Sequence, residues 1–247
     1  MPEGDTVHRA AASLRVLAGE RIEAESPHPR GEATGVARAI DGRVLESVDA
    51  VGKNLLLHFD GGLTVRSHLR VSGRWRVQAR GSKVYGCPWL VLRGTRWEAI
   101  EWNGPVLAID AGGRRRVGPD VIGAAIGPGD LARALRRADP GRLLGDVLLD
   151  QRVIAGVGNM WAAEALWQAC LSPWLPAGGA SDDELDHLLG WLRTAMQRSV
   201  SGTRTPHSVY RRSGRPCPRC GGPVSSRGLG DANRTAYWCP GCQRGPD

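Results

Sequence analysis

The sequence predicts an α+β multidomain protein. An N-terminal β-sandwich follows an opening helix, a helical domain comes next, and a β-hairpin finger closed by cysteines ends the chain. Three observations predict it. Short apolar runs separated by turn signals fill the first hundred or so residues. Six Gly and two Pro crowd into residues 111–129. Beyond that break the apolar spacing turns helical, and two Cys-x-x-Cys pairs stand near the end.

The elements follow in order. Val7, Ala10, Ala11, Leu14 and Leu17 fall at helical spacing, with Asp5 or Thr6 as the expected N-cap. Arg21–Ser26 reads as a strand, and residues 27–35, with two Pro and two Gly, as a loop. Strands are predicted at Arg43–Val51, Asn54–Phe59 and Leu63–Leu69, the last two forming a hairpin around Asp60-Gly61-Gly62. More follow at Arg74–Gln78, Trp89–Leu92, Arg96–Trp102 and Val106–Ile109. So many short strands build a sandwich or a barrel. The helical part opens at Gly129-Asp130, continues at Arg142–Asp150 and Asn159–Ala169, and ends with a helix capped by Ser181 and Glu184. The expected domains are 2–112, a linker or hinge at 113–127 that includes Arg114-Arg115-Arg116, 128–203, and 204–247.

Composition narrows the partners. The chain has 247 residues, 41% of them hydrophobic, enough for a core. It shows no membrane-length apolar run and no signal-peptide pattern, so a cytosolic protein without membrane association is expected. Net charge is +8 and the pI near 9.7, which suggests an acidic partner, most often nucleic acid. Lys53 and Lys83 are the only lysines, so 31 of the 33 basic residues are Arg. A lysine in such a chain offers a compact ammonium that can lose its proton, as Arg cannot.

Four stretches carry chemistry. Cys217, Cys220, Cys239 and Cys242 form two knuckles with an 18-residue spacer, the pattern of a closed tetrahedral zinc site. Tyr237-Trp238 before the second knuckle suggests a hairpin between them. One structural Zn2+ is expected, while Cys87 and Cys170 read as ordinary buried thiols. From Ser201 to Asp247 there are eight Arg against two Asp, a basic arm suited to phosphate, with Arg234 on the expected hairpin. Val153–Asn159 places two Gly and Asn159 at a helix start. Both a phosphate-binding turn and an ordinary helix corner fit it. Finally, removal of Met1 would expose the secondary amine of Pro2, a nucleophile beside the acid Glu3. A nearby helix N-terminus and partial burial both disfavour the ammonium form of that amine. Taken alone, these residues fit a frayed start equally well.

Together these residues resemble the formamidopyrimidine-DNA glycosylase/endonuclease VIII family of DNA repair enzymes. The resemblance runs nearly end to end: Pro2-Glu3-Gly4-Asp5, Gly52–Leu56, Ser67-His68-Leu69, Gly118-Pro119-Asp120, Leu149–Leu166, Val209–Arg212 and the closing finger. It implies a helix–two-turn–helix DNA-binding element around Gly156–Asn159. It implies a bifunctional glycosylase/lyase in base excision repair, working by a Pro2 Schiff base and β,δ-elimination. Pro2 would attack C1′, Glu3 would act as acid/base, and Lys53 would hold phosphate and assist. Asn159 and Arg234 would grip the DNA backbone, and Arg70, Val71 and Ser72 would fill the hole left by an extruded base. The partner would be double-stranded DNA with oxidised bases or abasic sites, met by a monomer in a bacterial cytoplasm. Thr6 departs from the family pattern, where an acid is expected, which puts a second glutamate role in doubt. Gly4 and the short segment between Gly202 and Tyr210 resemble the endonuclease VIII branch, which implies oxidised pyrimidines. A purine-type glycosylase and a non-catalytic zinc-finger DNA-binding protein are the alternatives.

Overall fold

The computed structural model describes residues 2–110 and 117–246. The chain divides into two compact units, residues 1–115 and 116–247. Met1 and Arg114-Arg115-Arg116 lie outside the described residues.

In the first unit, helix α1 (Gly4–Leu14) starts earlier than expected, its N-cap lying at Glu3 rather than at Asp5 or Thr6. Glu3 is the N-cap, its backbone extended and its carbonyl accepting the N–H groups of Thr6 and Val7. Asp5 therefore sits inside the first turn, where an acid suits the helix dipole, 3.8 Å from Arg9. Val7, Ala11 and Leu14 are buried along one face, as their spacing requires. The expected loop at 27–35 instead contains a short helix, α2 (Pro29–Glu32), followed by α3 (Val36–Ile40). Pro29 is set for a first helical turn, and the His28 ring accepts the Arg30 N–H as a cap.

Two antiparallel four-stranded sheets make the sandwich. One holds β2 (Leu45–Val51), β3 (Asn54–Phe59), β4 (Leu63–His68) and β8 (Val106–Ile109), in the order β2-β3-β4-β8. The other holds β1 (Glu23–Glu25), β5 (Arg74–Ala79), β6 (Leu90–Arg93) and β7 (Trp97–Trp102), in the order β1-β6-β7-β5. Leu55, Leu57, Phe59 and Val65 from the first sheet share a core with Leu90, Leu92 and Ala99 from the second, and α1 joins them. The β3–β4 hairpin forms where Asp60-Gly61-Gly62 predicts it, with Phe59 opposite Leu63. Its two glycines have φ of 74° and 76°, a conformation costly for other residues.

In the second unit, Val121 and Ile122 are buried, and the Arg193 guanidinium holds the carbonyls of Val121 and Gly123. Helix α4 (Pro128–Arg136) begins with Asp130 accepting the Gly127 N–H. Helices α5 (Leu144–Leu149), α6 (Asn159–Gln168) and α7 (Asp182–Val200) complete the helical part. Ser181 and Glu184 form the expected capping box. The core joins Leu144, Val147 and Leu148 of α5 with Trp161 and Ala165 of α6 and Leu185, Leu188 and Leu192 of α7. A hairpin of β9 (Ser225–Leu229) and β10 (Arg234–Trp238) follows, between the cysteine pairs. Trp174 and Trp238 meet edge to face at 4.4 Å, with Arg227 over the Trp174 ring. No helix among the described residues is long and apolar enough to cross a membrane.

Candidate nucleic-acid interface and metal centre

The first unit gathers charge at one end of its sandwich. Strands β2 and β3 are joined by the two residues Gly52-Lys53, Gly52 taking φ 60° at the place where a tight hairpin favours Gly. The register Leu55↔Ser67 brings the end of β4 to the same edge. There the turn Leu69–Gly73 leads into β5, closed by the Gly73 N–H on the Leu69 carbonyl. Arg70, Val71 and Ser72 form its tip and are exposed, Val71 at 69%. Arg70 has φ 50°, held in part by its N–H donating to His68 Nδ1. Burial first, then the Arg70 guanidinium, and to a lesser degree Lys53 and Arg66, hold His68 below its ordinary range. His68 is thus a neutral acceptor under a cluster of cations. Pro2 is half-buried and Glu3 is 2% exposed, both at the start of α1, which packs on β2 and β3.

The second unit builds its surface around two turns between α5 and α6. Gln151 organises them: its amide donates to the carbonyls of Leu149 and Val157 and accepts the Gly156 N–H. That N–H is therefore taken up inside the turn. Gly156 has φ 100°, which few other residues tolerate. Asp150, on the same turn, is bonded by Arg142 and Arg152. The Arg152 hydrogen bond is the main cause of its carboxyl lying at about 2. Asn159 begins α6, and its side-chain amide donates to the Thr235 carbonyl at 2.8 Å. It is thereby tied to β10 beside the exposed Arg234, which lines a cavity of about 600 Å3 with Arg142 and Asp146.

Glu164 on α6 is a residue the sequence did not single out by role. Its buried carboxylate collects the backbone N–H groups of Ser208, Val209 and Tyr210. This fixes the short segment before the first knuckle. A hollow of about 530 Å3 beside it is lined by Arg204, His207, Arg211, Arg212 and Arg215. An acid on an otherwise apolar helix, at Trp161–Trp167, is the signal that marks it.

The four knuckle cysteines converge. Their sulfurs lie within 4.8 Å of one another, with Cys220 and Cys239 at 3.4 Å and Cys217 and Cys242 at 3.8 Å. A tetrahedron with metal–sulfur bonds of about 2.3 Å places sulfurs about 3.8 Å apart, so the set fits such an ion. Trp167 Nε1 and the Arg219 N–H point at Cys217 Sγ, hydrogen bonds that suit a thiolate. The other two cysteines depart from expectation. Cys87 is exposed and Cys170 only half-buried, because the first lies in the β5–β6 loop and the second just beyond the end of α6.

These two units have known counterparts. The N-terminal domain model of formamidopyrimidine-DNA glycosylase matches residues 1–101, and the helix–two-turn–helix domain model of the same enzyme matches residues 117–209. A probable endonuclease 8 2 of Streptomyces coelicolor is 38% identical over 269 residues, covering 100% of this chain and 95% of that protein. A DNA-(apurinic or apyrimidinic site) lyase of Mycolicibacterium smegmatis is 33% identical over 271 residues, covering 98% and 99%. In fold, the chain superposes on a Lactococcus lactis formamidopyrimidine-DNA glycosylase solved with abasic-site DNA. The TM-score is 0.82 at 19% identity, over 99% of this chain and 100% of that one. The chain belongs to the formamidopyrimidine-DNA glycosylase/endonuclease 8 family of DNA repair glycosylases and lyases.

Proposed function

We propose that this protein is a bifunctional DNA glycosylase and abasic-site lyase that removes oxidised pyrimidines. The observation that carries the reading is the pair Pro2-Glu3, a buried acid beside a half-buried proline at the start of α1, in a chain of this family. With Met1 removed, the Pro2 nitrogen attacks C1′ of the damaged nucleotide as the bond from C1′ to the base breaks. The resulting iminium acidifies the neighbouring sugar carbon, and β,δ-elimination then breaks the two phosphate ester bonds. Glu3 moves the protons, and burial keeps its carboxyl away from competing water. Lys53, compact and placed on a rigid two-residue turn, holds a phosphate. Arg70, Val71 and Ser72 enter the gap in the duplex, which costs a few kcal/mol to open and less at damaged pairs. In the second unit Asn159 and Arg234 hold the DNA backbone, and the ion held by Cys217, Cys220, Cys239 and Cys242 is Zn2+, structural because four protein sulfurs fill its coordination. Gly4 and the short segment before Tyr210 favour pyrimidines over purines.

The test is borohydride trapping on abasic DNA, followed by mapping of the adduct and excision assays on a panel of single-lesion duplexes. An adduct on Pro2 and preference for oxidised pyrimidines are expected. An adduct found only on Lys53, or 8-oxoguanine as the preferred lesion, overturns the corresponding part.

A further inference from the structure

Glu101 has no part in the proposed chemistry, yet its side chain lies fully inside the sandwich at 0% exposure. It stands on β7 opposite Trp75 of β5 and Leu90 of β6. Its Oε1 accepts the Ser67 hydroxyl, and Ser67 Oγ accepts the Trp75 indole N–H at 3.1 Å. The directed chain from Trp75 through Ser67 to Glu101 therefore ties β5, β4 and β7, and with them both sheets. Oε2 is buried without a hydrogen-bond partner among the described residues.

The carboxyl lies against the β7–β8 turn, and that turn lies against the turn Leu69–Gly73. A Cβ added at Gly104, in the β7–β8 turn, would fall 2.2 Å from Glu101 Oε1. A Cβ at Gly73 would fall 2.6 Å from the Leu69 carbonyl oxygen and 2.9 Å from that of Asn103. The β7–β8 turn and the turn Leu69–Gly73 thus abut with no spare room. Each holds a non-glycine residue in the left-handed region, Arg70 at 50° and Asn103 at 52°. Such backbones persist only where the surroundings enforce them.

Among the described residues no cation acts on the Glu101 carboxyl, and Arg66 on β4 bonds to Asn54. His68 follows Ser67 on β4 but bonds to the Arg70 N–H. Arg74 on β5 lies over the Trp102 ring. Arg93 on β6 pairs with Glu25 and Glu98, Glu98 on β7 also bonds to Gln78, and β8 carries no charge. Desolvation, only partly opposed by the Ser67 hydrogen bond, raises Glu101 to about 8, so the group is a neutral acid at pH 7.

We propose that Glu101 is a positioning residue for the Arg70–Val71–Ser72 turn, its buried carboxyl clamping the two sheets through Ser67 and supporting the β7–β8 turn against which that turn packs. Ionisation would leave a buried charge without a partner, a cost that opening of the β7–β8 turn against it relieves. The functional half of this inference rests on the proposed reading of that turn as the segment that enters the gap in the duplex, where Arg70 would meet the base opposite the lesion. The clamp itself does not.

Two readouts keep them apart. The first needs no DNA: hydrogen exchange of the Gly73 amide in the full-length protein between pH 6.5 and 9.5, corrected for base catalysis. Expected is turn opening that rises in wild type by up to about tenfold per pH unit as pH climbs from the ordinary carboxyl value of 4.5 towards about 8 and levels off above it, whereas opening in Glu101→Gln, corrected for base catalysis, does not change with pH and stays below that of wild type at pH 9. Ser67→Ala, which keeps the acid but cuts its link to β4, opens the turn already at pH 6.5. The second is excision of one lesion opposite each of the four bases. Wild type loses its opposite-base preference as pH rises through about 8, and Glu101→Gln keeps it. Equal Gly73 exchange in wild type and Glu101→Gln at pH 9 overturns the clamp. Exchange that changes as expected, with a preference indifferent to pH, overturns the link to base probing and leaves the clamp standing.

Discussion

The side-chain amide of Asn159, at the first turn of α6, donates to the carbonyl of Thr235 on β10 at 2.8 Å. One hydrogen bond thereby joins the helix–two-turn–helix element to the hairpin, 76 residues apart in sequence. It sets Asn159 next to Arg234, so the two proposed phosphate contacts form one surface rather than two.

Asn159→Ala and Arg234→Ala are therefore expected to weaken plain and lesion-bearing duplexes alike, by about tenfold each. Arg234→Ala should also lower the salt dependence of binding by about one ion, whereas Asn159→Ala, removing no charge, should leave the slope nearly unchanged. Fluorescence titrations at several salt concentrations measure both. Unchanged affinity would remove the residue from the interface.

Removing the metal should unfold the finger but not the helical core. Cys239 is buried in a cluster with Trp167, Val209, Tyr210 and Val224, and the two knuckles face each other only through four sulfurs set at metal-ligand spacing, so their fold depends on the ion between them. Chelation or Cys239→Ser should abolish tight DNA binding while far-ultraviolet circular dichroism changes little. Metal analysis should give one zinc per chain. A metal-free preparation with full activity would rule the site out.

Arg70 is predicted to read the strand opposite the lesion. It is exposed, cationic and fixed in a left-handed backbone above His68. Its planar fork suits guanine O6 and N7. Excision of one lesion opposite each of the four bases should show a preference that Arg70→Ala flattens. If only total binding drops and the preference survives, Arg70 is a phosphate contact.

Acid should loosen the turn after α5. Asp150 is held at about 2 instead of 3.8, first by its Arg152 hydrogen bond. A depressed carboxylate contributes stability that is complete above about 3.8 and lost as pH falls through about 2. The shift corresponds to at most about 2 kcal/mol, and to less because the Arg152 side chain is 78% exposed. Asp150→Asn should thus destabilise the protein at pH 7 in urea unfolding and make almost no difference at pH 2. Equal losses at both pH values would show that the carboxylate charge plays no part.

The sequence by itself determined what short-range chemistry can determine. Asp60-Gly61-Gly62 makes a hairpin because two left-handed residues in a row need glycine. Ser181 and Glu184 cap α7 because their partners lie within one turn. The spacing of the four cysteines sets two knuckles, whichever fold surrounds them. Short-range signals conflict at residues 27–35, where the Pro and Gly content favours a loop but Pro29 opens a helix. Tertiary structure alone decided which distant groups meet. Glu164 collects three amides more than forty residues away, Asn159 finds Thr235, and Glu101 sits against Ser67 of the other sheet. No local pattern marks such pairs, because a polar side chain is specified by where its partner lies once the chain has closed. An acid in a strand reads as solvent-facing until packing covers it, and burial then fixes both its protonation and the turn against it.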